Sequence, residues 1–284
     1  TVDCYSSDYL EDNAGKKINA GDNPLVKLYK KVYNRTHIGK QKKYYSFNMV
    51  EKFNDYKMHL LGEEILGVYI NSALPTVNAE AVVSLKDGRG FCSTTTKDFA
   101  PADQMFVYFP HNGVNDAKGI TNISLNIPQA QYQSEAGVFN VTNMPMIGRP
   151  VALASELSTA VSMRPMASLL QAKVYALGSY AGEKVLSISY KTSGVVAGEF
   201  AADLTSGAAE TGLTLVGGDA DAVMTTLETP YTVGASKAEA KALYMVLAPG
   251  EYTGTVEVTT DKAIYTYNYN KQLARNTYYD LYIN

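Results

Sequence analysis

The stretch Leu243–Asn268, LYMVLAPGEYTGTVEVTTDKAIYTYN, constrains the fold more than any other part of the chain. Its side chains alternate with a period of two, and it is rich in Tyr, Thr and Val, which suit a pleated, half-buried surface. Two interruptions carry turn chemistry: Ala-Pro-Gly-Glu, where Pro249 and Gly250 fit the central positions of a β-turn, and Thr-Thr-Asp-Lys. The expectation is three antiparallel strands, LYMVL, YTGTVEVT and AIYTYNY, followed by a last strand, TYYDLYIN. Val256 and Val258 point inward, Thr255 and Glu257 outward, and Tyr265, Tyr267 and Tyr269 share a face. A ligand role for APGEYTG needs polar groups converging from elsewhere, and the sequence shows none.

The same period runs through most of the chain from about Gly67. QMFVYF (Gln104–Phe109) is ended by Pro110, and ITNISLNI (Ile120–Ile127) places Thr121, Ile123, Leu125 and Ile127 on one face before Pro128. LLQAKVYA suits helix or strand taken alone. Its neighbour EKVLSISY, alternating Leu186, Ile188 and Tyr190 against Ser187 and Ser189, settles both as strands joined by a Gly-containing turn. Short strands separated by Gly, Pro, Asn and Asp indicate antiparallel sandwiches. Between Asn143 and Met166 the chain is rich in Met, Pro and small residues without clean periodicity. That passage separates a first sandwich, 67–160, from a second, 161–284.

Charge sets the first part of the chain apart. Residues 1–61 carry 11 Lys and Arg against 7 Asp and Glu, whereas the whole chain of 284 residues has a net charge of −3. Seven basic and no acidic residues lie between Lys27 and Lys43. Asn23-Pro24 forms a helix start, with Leu25, Leu28 and Val32 at helical spacing. A second helix is expected over Asn48–Leu61, with Met49, Phe53, Tyr56 and Leu60 along one face. The expectation for 1–66 is thus a helical, basic extension, read either as solvated or loosely docked helices or as a patch for an anionic membrane or nucleic acid. The acidic balance of the whole argues against a nucleic-acid partner. No run approaches the roughly 18 apolar residues that span a bilayer. Secretion is neither read nor excluded at Thr1, where no apolar signal stretch stands.

Sites for chemistry are few. His37, His59 and His111 are isolated, and no zinc spacing or cofactor motif accompanies them. No Gly-x-Ser-x-Gly elbow is present, and Cys4 and Cys92 have no neighbouring base. GGDAD at Gly217–Asp221 holds two Asp at i, i+2, a fragment of a calcium loop that reads more simply as a plain loop. Asn34, Asn122 and Asn140 begin N-x-Ser/Thr sequons. No cofactor and no metal are expected.

Over residues 100–284 these elements resemble, in order, the fimbrillin superfamily of Bacteroidales, the subunits of type V pili and their lipoprotein-like relatives. The carrying segments are APADQMFVYFP, IPQAQYQSEAGVFN, SMRPMASLLQAKVYA, GEKVLSISY, VVAGEFAADLT, YMVLAPGEYTGTVEVTTDKAIYTYN and LARNTYYDLYIN. The resemblance implies a mainly β fold of two transthyretin-like antiparallel β-sandwich domains and no enzymatic activity. It implies a structural or adhesive subunit of a cell-surface fimbria that polymerises by β-strand donation. Its partners would be other fimbrial subunits or itself, with a host protein or glycan as a further candidate. It also implies outer-membrane association through a lipoprotein precursor and removal of an N-terminal strand by a protease. Arg35 and Arg89 are the candidate processing sites, and Cys4, followed by YSSDYLEDN, is the candidate lipid-bearing residue, with an ordinary thiol as the alternative. Asn284 directly follows the last expected strand, so a tip, an anchor or a non-polymerising relative fits at least as well as a stalk subunit.

Two other functions compete. A surface carbohydrate-binding protein would use some of the 22 Tyr residues as sugar platforms, although Trp is absent and Tyr sits at regular strand positions. An enzyme would need a triad assembled only in space, with His111 beside a carboxylate and a Ser.

Overall fold

The computed structural model describes residues 2–3, 45–48, 57–60, 64–71, 78–86, 89–93, 104–148, 150–152, 161, 163–177, 182–205 and 212–284. The fold is mainly β. The first strands are β1 (Val2–Asp3), β2 (Tyr45–Asn48), β3 (Lys57–Leu60), β4 (Ile65–Asn71), β5 (Ala79–Lys86), β6 (Arg89–Ser93) and β7 (Gln104–Phe109). There follow β8 (Ile123–Ile127), β9 (Ala130–Gln133), β10 (Met146–Gly148), β11 (Val151–Ala152), β12 (Met163–Pro165), β13 (Ser168–Val174) and β14 (Lys184–Thr192). The chain continues through β15 (Ala197–Ala202), β16 (Thr214–Ala220), β17 (Ala222–Thr232), β18 (Lys241–Leu247), β19 (Gly250–Thr260), β20 (Ile264–Leu273) and β21 (Tyr278–Ile283). Among the described residues, helix is confined to 3-10 turns at Gly113–Ala117, Val141–Asn143 and Lys237–Glu239. None is long and apolar enough to cross a membrane.

The chain divides into two compact units, each discontinuous in sequence. One comprises 1–111 and 148–164, the other 112–147 and 165–284. Residues 112–147 therefore group with the C-terminal strands. In the first unit β5 lies between β6 and β4, and β4 pairs on its other side with β7, all antiparallel. Its core holds Leu66, Val68, Tyr69 and the run Met105–Phe109, all buried. After the exposed Gln104, the run MFVYF is apolar throughout because both faces of this strand are covered.

The second helix expected in the basic segment is replaced where the structure describes it. Asn48 and Lys57–Leu60 are extended, and β2 pairs antiparallel with β3 from Tyr45↔Leu60 to Asn48↔Lys57. Apolar residues in so short a segment fit both periods, and ladder hydrogen bonds between two extended segments decide the outcome. The first expected helix, from Asn23, lies outside the described residues.

The second unit contains three sheets, ordered β18-β13-β21, β20-β19-β14-β17-β9 and β16-β15-β8. The meander read from LYMVLAPGEYTGTVEVTTDKAIYTYN is present, and β19 pairs with β20 over ten successive residues without a register shift. Val256 and Val258 are fully buried, as their alternation requires. Two pairings depart from the antiparallel expectation: β13 with β21 and β17 with β9 are parallel. Both join strands distant in sequence, a pairing that no local turn signal announces. One face assignment is also corrected. A bulge between Val185 and Ser187 in β14 shifts the register, so Val185 is buried and Leu186 only half-buried.

Candidate functional site

The APGEYTG corner is built around Tyr252. Its hydroxyl lies 3.1 Å from the carbonyl of Val195, 3.2 Å from that of Ala248 and 3.3 Å from that of Pro249. The ring is buried, and burial pushes its hydroxyl pKa upward. Gly250 is required here because a Cβ would stand 2.5 Å from the Tyr252 hydroxyl. The Tyr252 hydroxyl is thus turned onto backbone carbonyls, two of them in its own segment, which is the chemistry of a locked corner.

At the far end of β19 the turn into β20 is tied to a buried carboxylate. Glu183 accepts from Thr260 Oγ1 at 2.7 Å and from the Tyr265 hydroxyl at 2.6 Å. Thr260 Oγ1 in turn accepts from the N–H groups of Lys262 and Ala263. Beyond this turn, Tyr190, Tyr269 and Tyr279 cluster. Tyr190 and Tyr269 meet edge to face at 5.7 Å, and the Tyr190 hydroxyl donates to the Tyr269 carbonyl at 2.9 Å. Desolvation, then the neighbouring Tyr190 and Tyr279, push the Tyr269 hydroxyl up to about 12.

Sheet edges decide what can assemble with such a molecule, because an edge strand presents unpaired backbone donors and acceptors. The outer edge of β18 is closed by side chains. Gln131, on β9, donates to the Val246 carbonyl at 2.8 Å and accepts from the Val246 N–H at 2.9 Å. Gln133, two residues along, bridges two residues of β18, donating to Ala242 O at 3.0 Å and accepting from Tyr244 N at 3.0 Å. Thr225 Oγ1 donates to the remaining Tyr244 carbonyl at 2.7 Å. Both glutamines are buried, so their amides act as a substitute strand. The i, i+2 spacing of Gln131 and Gln133 on a strand was the available sequence signal, and it reads as ordinary polar alternation until β18 is placed opposite.

Of the candidate processing and lipidation residues, Cys4 and Arg35 lie outside the described residues. Arg89 begins β6 and pairs with Lys86 across the β5–β6 connection. His111 has a carboxylate neighbour: its Nδ1 lies 3.5 Å from Glu80 Oε1. Asn78 accepts from the Tyr108 hydroxyl at 2.8 Å, which turns its amide nitrogen toward His111 Nε2, 3.1 Å away. That nitrogen is thereby occupied as an acceptor. Asp219 and Asp221 lie on β16 and in the β16–β17 connection. Among the described residues no group of three or more His, Cys, Asp or Glu is arranged to hold a metal. Asn140 caps its turn, accepting from Thr142 N and donating to the Tyr132 carbonyl. Strongly exposed aromatic rings among the described residues are Tyr132 on β9 and Tyr282 on β21, which belong to different sheets.

No protein-family model matches the chain, and no curated protein matches it in sequence. Solved structures do. A "putative cell adhesion protein" from Bacteroides ovatus superposes with a TM-score of 0.51 at 11% identity, covering 83% of this chain and 88% of that one. One of the same description from Bacteroides uniformis gives a TM-score of 0.49 at 14% identity, covering 78% and 86%. A fimbrial protein from Bacteroides ovatus gives 0.43 at 9% identity, covering 81% of this chain and 45% of its own. At such identities the likeness defines a shared fold, that of the first of these proteins. The cell adhesion description of that first protein is of the kind that the fimbrillin resemblance anticipates.

Proposed function

We propose that the chain is a non-enzymatic structural or adhesive subunit of a cell-surface fimbria. The observation that carries this reading is the coincidence of two kinds of likeness. The ordered motifs from APADQMFVYFP to LARNTYYDLYIN resemble fimbrillins, and the fold is shared along most of both chains with a protein described in terms of cell adhesion. The transthyretin-like description of its two sandwiches belongs to the same reading.

Assembly proceeds by β-strand donation between subunits, after cleavage at Arg35 or Arg89 and outer-membrane delivery of a precursor lipidated at Cys4. The physical support is general: a sheet lacking a strand exposes backbone groups and an apolar groove, and a donated strand satisfies both. Electron microscopy after controlled trypsin treatment tests it. Filaments are expected from the cleaved protein, whereas monomers alone after cleavage at Arg35 or Arg89 remove the strand-donation step. The carbohydrate-binding alternative draws no support from the strongly exposed aromatics among the described residues, Tyr132 and Tyr282, which lie on different sheets.

A further inference from the structure

The edges of the second unit are treated very differently. β18 is closed by Gln131, Gln133 and Thr225. β9 is only four residues long, and its Tyr132 carbonyl accepts from Asn140. β16 pairs with β15 through two register shifts, with Gly198 and Gly218 at positive φ, and such bulges twist an edge away from further pairing. β21 carries Asp280 at its centre, paired to Lys173 at 2.8 Å.

β20 has none of these devices. It ends the five-stranded sheet, runs ten residues in unbroken register with β19, and contains neither Pro nor Gly. Ile264–Asn270, IYTYNYN, carries no charge. A long, regular, uncharged edge of high β propensity is a strand-pairing surface by its physical chemistry. The direction of its backbone follows from β19. Thr253 exchanges hydrogen bonds with Ser193 on the β14 side, through its carbonyl at 2.8 Å and its N–H at 3.2 Å. Thr253 therefore points away from β20, and its opposite number Asn270 points away from β19. By alternation the N–H and C=O groups of Thr266, Asn268, Asn270 and Gln272 face outward, and all four residues are exposed.

We infer that the β20 edge pairs antiparallel with β20 of a second copy of this chain, about a two-fold axis at Asn268. The strand is complementary to itself in that register. Asn268 meets Asn268 of the second copy, Thr266 meets Asn270, and the outward backbone groups of all three align as hydrogen-bonded pairs. On the inner face Tyr267 stands opposite Tyr269, and Lys271, the one charge of the strand, stands opposite Tyr265 rather than another lysine. The same operation on β21 would set Asp280 against Asp280. This contact is closed and two-fold, so it is independent of head-to-tail strand donation and of the fimbrial reading.

Sedimentation velocity on the intact chain tests the inference, with Asn268→Pro and Asn268→Lys as variants. Proline removes an outward N–H that no described residue engages, and lysine sets like charges across the axis. The expected result is a reversible dimer for the native chain and a monomer for both variants, with unchanged circular dichroism. Should Asn268→Pro fail to fold, the lysine variant decides. In a Cys4→Ser, Cys92→Ser background, Asn268→Cys should oxidise to a covalent dimer, because Cα atoms of a hydrogen-bonded pair lie about 5.5 Å apart, within disulfide reach. A native chain monomeric up to roughly 0.1 mM, well above the micromolar range of specific contacts, overturns the proposal. So does a dimer that persists in a folded variant.

Discussion

Gln131 Nε2 donates to the carbonyl of Val246 at 2.8 Å while its Oε1 accepts from the N–H of the same residue at 2.9 Å. A primary amide is the side chain that offers donor and acceptor in the arrangement of a peptide group. With Gln133 bridging Ala242 and Tyr244, β9 holds the edge of β18 as a strand would, through side chains. Gln131→Glu keeps the shape and the acceptor but loses the donor, leaving the Val246 and Pro128 carbonyls facing the second oxygen of a buried carboxylate. It should cost at least about 1–3 kcal/mol, read as a lowered chemical-denaturation midpoint. Hydrogen exchange should quicken at Tyr244 and Val246 when both glutamines become alanine, while amides of β14 keep their protection.

Tyr269 gives the fold a defined alkaline limit. Its folded pKa is raised to about 12, against about 10 for an unfolded tyrosine. Tyr190, Tyr252 and Tyr267 are raised in the same direction by burial. Between these values the unfolded chain has lost protons that the folded chain retains, so stability is intact below pH 10 and falls as pH rises toward 12. Thermal melts from pH 8 to 12, followed with tyrosinate absorbance, should show this fall. Tyr269→Phe should make it shallower; an unchanged slope would assign the effect to other groups.

Gly254, on β19, lies directly against the backbone of β14. A Cβ there would overlap the carbonyl oxygen of Lys191 and stand 3.0 Å from the Cα of Thr192. Both obstacles are backbone in a central strand and cannot swing aside. Gly254→Ala should therefore exceed the roughly 1–3 kcal/mol of ordinary overpacking. Gly137→Ala is the comparison: φ is +91° but nothing lies within 4 Å of the added atom, so only the conformational cost of about 1–2 kcal/mol applies. Equal losses in the two variants would contradict the close approach of β14 and β19.

Much of this fold was legible because alternation and turn chemistry are local. QMFVYF is β7 to the residue, and the Pro249 and Asp261-Lys262 turns lie between the strands they were expected to join. The limits have physical causes. The bulge that exchanges Leu186 for Val185 leaves no mark in composition, and the parallel partners of β13 and β17 come from distant segments. The interleaved units arise from the same long-range pairing, since β8 joins β15 from 70 residues or more away. The sealed edge required β18 to be placed before Gln131 and Gln133 acquired a meaning. Likewise, KMHL fits a helix face until β2 supplies a partner.

The central claim, that this chain is a subunit of a surface fimbria, is tested most directly by immunogold electron microscopy on the cells that produce it. Antibody raised against the folded chain should place gold on fibres projecting from the cell surface, along their length or at one end. Gold confined to the cell interior, or to a surface whose fibres remain bare, would contradict it.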